Sequence, residues 1–93
     1  MKQLSVKDFK CAMSYVCKND GRQFQDVSDE DFLKLDFAKD LKMGNIRVAA
    51  VVIELQRIHQ LSIPWEIVRA TKDNTIGSLM EAINRYIEDF PNI

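Results

Sequence analysis

Apolar residues recur at steps of three and four along most of this chain. Val6, Phe9, Met13 and Val16 form one such stripe, which predicts an amphipathic helix. Ser5 precedes it as an N-cap, with Asp8 placed as the acidic partner of a capping box. The stripe fades at Lys18-Asn19-Asp20-Gly21, a polar stop ending in glycine. Phe24 lies in the polar loop that follows and is expected to plug the top of the core. Ser28 caps a short helical turn whose first residues are Asp29, Glu30 and Asp31, where negative charge is favoured. Phe32, Leu33 and Leu35 form its apolar face, and Phe37 and Leu41 lead inward to a corner at Met43-Gly44-Asn45.

The longest periodic segment runs from about Ile46 to Gln60, with Asn45 as its expected N-cap. Val48, Val51, Val52, Leu55 and Ile58 form its expected buried stripe, and Arg47, Glu54, Arg57 and Gln60 its wet face. Further apolar residues lie off that stripe. A helix apolar on more than one side is either central in a bundle or carries a contact surface. Leu61-Ser62-Ile63-Pro64 ends it, and Pro64 fits the start of a short helix from Trp65 to about Ala70. Trp65 is expected half-buried against the last helix; exposed, it would point to a partner site. Asn74 or Thr75 then caps a helix with Ile76, Leu79, Met80, Ile83, Ile87 and Phe90 on one face, stopped by Pro91. These elements give an all-α fold read as one domain over 1–93, with three longer helices, a short one after Pro64 and an extra turn near 28–35.

Composition agrees. Only 3 Gly and 2 Pro interrupt 93 residues, which favours helices over a turn-rich β fold. The formal charge of −1 provides no basic field for nucleic acid. The longest strongly apolar run, Val48 to Ile53, is far short of the ~20 residues of a membrane span. Met1-Lys2-Gln3-Leu4 lacks the apolar stretch of a signal peptide, so a cytoplasmic protein is expected. Cys11 and Cys17 are six apart and fall on different sides of a helix; both are read as buried, reduced thiols.

Four short segments, in order, resemble the acyl carrier proteins. Asp40-Leu41 resembles the Asp-Leu before the carrier's attachment corner, and Val52-Ile53-Glu54-Leu55 its Val-Met-Glu-Leu. Pro64 of Ile63-Pro64 stands nineteen residues after Asn45, where carriers have an Ile-Pro. Thr75-Ile76-Gly77-Ser78-Leu79 resembles the Thr-Val-Gly-Asp-Leu that opens the carrier's last helix. The resemblance covers roughly Phe37 to Phe90 and implies a four-helix bundle of the acyl carrier type. It also implies 4′-phosphopantetheine on a serine at the Asp-Ser-Leu corner. Here that corner is Gly44-Asn45-Ile46. An asparagine amide has no hydroxyl to accept the group, so no cofactor is expected.

Charge departs from the family as well. Carriers present an acidic second helix to basic enzyme patches; this one has Arg47 and Arg57 against Glu54, so that steering is lost or reversed. Gly44 stands where carriers have aspartate and is expected to permit a tight turn. The expectation is an unmodified, non-enzymatic carrier-like domain that binds fatty-acid or polyketide-type enzymes or a second carrier, with a homodimer as a variant. Its contact surface is placed at Met43, Ile46, Arg47, Ala50, Ile53 and Arg57.

Two other function classes remain beside it. One is a working acyl carrier modified at an unrecognised residue; Ser28 and Ser62 lie far from the corner and are explained by capping and loop chemistry. The other is an unrelated helical protein-interaction or DNA-binding module, against which the apolar central helix counts. His59, the lone histidine, lacks catalytic company, and the acidic cluster Asp26, Asp29, Glu30 and Asp31 lacks the glycine and alternation of a calcium loop.

Overall fold

The computed structural model describes residues 3–89; the expected roles of Phe90 and Pro91 lie outside them. The fold is all-α. Among the described residues there are five helices and no strand: α1 Val6–Val16, α2 Asp29–Lys34, α3 Asn45–His59, α4 Trp65–Arg69 and α5 Ile76–Asp89. A 3₁₀ turn, Lys18–Asp20, follows α1.

Local chemistry sets most of the boundaries. The Asp8 backbone N–H donates to Ser5 Oγ at 3.2 Å, and the Ser5 N–H donates to Asp8 Oδ2 at 2.8 Å, completing the capping box. After the 3₁₀ turn, Gly21 takes a left-handed conformation, φ 71°, which glycine adopts without steric cost. Ser28 Oγ accepts from the Asp31 N–H at 3.2 Å and starts α2. Thr75 Oγ1 accepts from the Ser78 N–H at 3.2 Å and starts α5.

One hydrophobic core joins the elements. Phe9, Ala12 and Met13 of α1 meet Val51, Val52 and Leu55 of α3, and Ile76, Leu79, Ile83 and Ile87 line α5. Phe24 is buried in the loop, as its place in the sequence suggests, and stacks edge-on against Phe32, ring centroids 5.7 Å apart. The chain before α1 is held by Asn84: its Oδ1 accepts from the Leu4 N–H at 2.7 Å and its Nδ2 donates to the Leu4 carbonyl at 2.9 Å. One amide thus satisfies both backbone groups of a residue buried against α5, groups that would be costly to leave unpaired.

The segment after α2 is tied to the segment before α5. Asp36 bridges to Thr75 in antiparallel fashion, with the Phe37 N–H on the Asn74 carbonyl at 2.9 Å and the Ile76 N–H on the Leu35 carbonyl at 3.1 Å. Asp36 Oδ1 accepts from the Ala38 and Lys39 N–H groups. The Asp40 carboxylate accepts from the Asp36 N–H at 2.8 Å, so the aspartate of the Asp40-Leu41 pair closes this turn.

Three carboxylates are held below their ordinary values by such bonds. Backbone N–H groups, Lys39 first, lower Asp36; the Ser78 and Thr75 hydroxyls lower Asp73; the Arg57 guanidinium lowers Glu54. A depressed folded-state pKa stabilises the fold above the unfolded value, and that contribution is lost as pH falls through the folded value. Urea midpoints are therefore expected to drop as pH is lowered below about 4. Asp36→Asn and Asp73→Asn should flatten that drop; an unaltered slope in both would mean these bonds do not differ between folded and unfolded chains.

Candidate functional site

The corner before α3 is fixed from three sides. The Met43 N–H donates to the Phe37 carbonyl at 2.7 Å, the Arg22 guanidinium donates to the Leu41 carbonyl, and Lys42 takes a left-handed φ of 55°. The reversal falls at Lys42 and not at Gly44. Gly44 is extended, φ −81°, as the N-cap of α3, and a Cβ there would meet nothing within 4 Å. Neither close approach nor positive φ requires this glycine.

Asn45 is consequently the first residue of α3 and not its cap, and no side chain caps the helix. It is exposed and stands beside a cleft of about 300 Å³ whose lining includes Val48, Trp65, Val68 and Arg69. Trp65 is 39% exposed, more open than a half-buried core residue, because Val68 and not Trp65 is the buried residue of α4.

The exposed side of α3 carries an apolar stripe. Ile46 is 87% exposed and Ile53 is 62% exposed; seven residues apart, they share one face. Ala49 and Ala50 lie between them, partly buried, and Arg57 continues the line. Of the six residues expected at a contact surface, Ile46, Arg47, Ala50, Ile53 and Arg57 reach solvent to differing extents, and Met43 does not. Met43 is 3% exposed and belongs to the core, because the bond to Phe37 turns it inward at the corner.

The charged residues of α3 are already engaged. Arg47 Nη2 meets Asp20 Oδ2 at 2.6 Å. A cation in the first turn opposes the helix dipole, and Asp20 supplies the anion that this turn lacks. Arg57 grips Glu54 with two bonds, Nε–Oε1 at 3.0 Å and Nη2–Oε2 at 2.8 Å. Glu54 is buried beneath it and not on the wet face, while Arg57 stays largely exposed. Ile58, expected in the buried stripe, is exposed instead. His59 Nε2 lies 3.7 Å from Asp8 Oδ1, a tie between α3 and α1 and not to Glu54.

Elsewhere, Cys17 is buried and Cys11 is exposed, so only one thiol is enclosed as expected. Among the described residues, no group of three or more His, Cys, Asp or Glu is placed to hold a metal ion. None of their helices is long and apolar enough to cross a membrane. No protein-family model, curated protein or solved structure matches the chain.

Proposed function

We propose that this chain is a carrier-like domain of the four-helix acyl carrier type that bears no prosthetic group and acts by binding, as a non-catalytic partner in fatty-acid or polyketide-type biosynthesis. The observation that carries the reading is the start of α3. An exposed asparagine, without a hydroxyl, occupies the position where the resemblance places the attachment serine. From it runs an apolar stripe left open to solvent. The order of three longer helices with a short one after Pro64 fits the same bundle.

The hydroxyls nearest in sequence do not substitute. Ser28 is committed to the cap of α2, and Ser62 lies beyond the far end of α3. A nucleic-acid module is disfavoured because the open face of α3 is led by Ile46 and Ile53 and carries no row of cations to track phosphates.

Intact mass after incubation with coenzyme A and a broad-specificity phosphopantetheinyl transferase tests the proposal. The wild type is expected to keep its mass, and Asn45→Ser to gain one phosphopantetheine. Modification of the wild type would overturn the unmodified state. Failure of both to react would remove the support for a carrier corner.

A further inference from the structure

We propose that the cleft between the start of α3 and α4 is a binding site for a small aromatic carboxylate, held without a covalent bond. This does not rest on the carrier reading.

The first argument is shape. The cleft measures about 300 Å³, and its lining includes Asn45, Val48, Trp65, Val68, Arg69 and Asn74. That is the lower end of the range of small-molecule sites, ~300–1,000 Å³. Val48 and Val68 are buried and give the cleft an apolar floor. On the core side of these valines, against Phe37 and Leu79, there is space for only about 20 Å³, room for about one water. An extended chain finds no passage into the core there. The occupant is therefore short and stays in the cleft.

The second argument is chemistry. Trp65 and Arg69 stand four apart on α4, so they share one side of it, and both line the cleft. The open indole of Trp65 offers a flat apolar body a face to pack on. Among the described residues, Arg69 is the one arginine whose guanidinium has no hydrogen bond or ion pair. Arg22 donates to the Leu41 carbonyl, and Arg47, Arg57 and Arg85 are paired with Asp20, Glu54 and Glu81. A guanidinium binds a carboxylate through two parallel N–H···O bonds, which a ring-bearing acid on Trp65 can supply. Asp73 borders the inner space and not the cleft, and its Oδ1 is already taken by Thr75 and Ser78.

The chain has a single tryptophan, so the Trp65 indole N–H gives one NMR resonance that reports on the cleft. Titration of the full chain with sodium benzoate, to about 20 mM at constant ionic strength, is expected to shift that resonance saturably, with a Kd on the order of 1 mM. Benzamide has the ring without the charge, and acetate the charge without the ring; each should bind at least about fivefold more weakly. Arg69→Gln should weaken benzoate binding by at least about fivefold with an unchanged circular dichroism spectrum. Arg85→Gln, on α5, should not weaken it. Absence of a saturable shift at Trp65 would overturn the proposal. So would benzamide or acetate binding as tightly as benzoate, or an Arg69→Gln protein that binds benzoate as the wild type does. None of these results bears on the Asn45→Ser mass assay, so the two proposals fail separately.

Discussion

Replacing Phe32 by alanine is expected to lower the stability of this protein by about 3–5 kcal/mol. The total for a chain of this length is roughly 5–14 kcal/mol, so much of it would be lost. Phe32 is fully buried and is the one buried residue of α2. Its ring takes the edge contact of Phe24 at 5.7 Å and has the Lys10 ammonium 5.7 Å from its centroid. Lys10 in turn reaches the Val27 carbonyl and pairs with Asp29 at 3.0 Å. α2 has six residues, too few to hold a helix in water without packing. Alanine at 32 would therefore free the whole element, beyond leaving a cavity. Thermal melts should show a fall of more than about 10 °C. Ile53→Ala, on the exposed face, should stay within about 0.5 kcal/mol of wild type. Equal effects at the two positions would contradict the burial pattern.

Local signals in the sequence carry the helix boundaries well. The Ser5–Asp8 box, the Ser28 cap, the stop at Gly21 and the Thr75 start all rest on bonds within a few residues. So does the short helix after Pro64. The faces of α3 were less legible. Its apolar residues surround most of the helix, so periodicity alone cannot choose the inward side; packing on α1 does. The sequence pattern therefore puts Ile58 inside and Glu54 outside, whereas Ile58 is exposed and Glu54 buried.

Glu54 also shows why charge is a poor guide there. A carboxylate counts as wet in any pattern, yet an arginine three residues on can lie over it and satisfy both oxygens. The Asp20–Arg47 pair spans two elements, and nothing in local spacing announces it. For the same reason Met43 read as a surface residue: its burial depends on a backbone bond to Phe37, made only once the loop has turned at Lys42. The exposed isoleucines at 46 and 53 were legible because each is surplus to the buried stripe.

Gly77→Val is expected to cost about 2–3 kcal/mol, by a route that no side-chain contact reveals. Gly77 lies in the first turn of α5, where most substitutions for glycine would gain up to ~1 kcal/mol of helix propensity. Here a Cβ would stand 2.9 Å from the Leu33 carbonyl oxygen and 3.3 Å from Leu33 Cβ. The first of these atoms is backbone and cannot swing aside. α2 and α5 would have to separate, straining the Ile76–Leu35 and Phe37–Asn74 bonds that join the two loops. Overpacking of this kind costs ~1–3 kcal/mol, more than the propensity returns, and the valine methyls push it to the upper end. Gly77→Ala should be milder but still destabilising, and Gly44→Ala, where a Cβ meets nothing, should lose only the ~0.5–1 kcal/mol by which glycine is better than alanine at an N-cap. Urea melts of the three variants would decide it: a Gly77→Ala protein more stable than wild type would mean that α2 yields freely and that the close approach of the helices is not what selects glycine there.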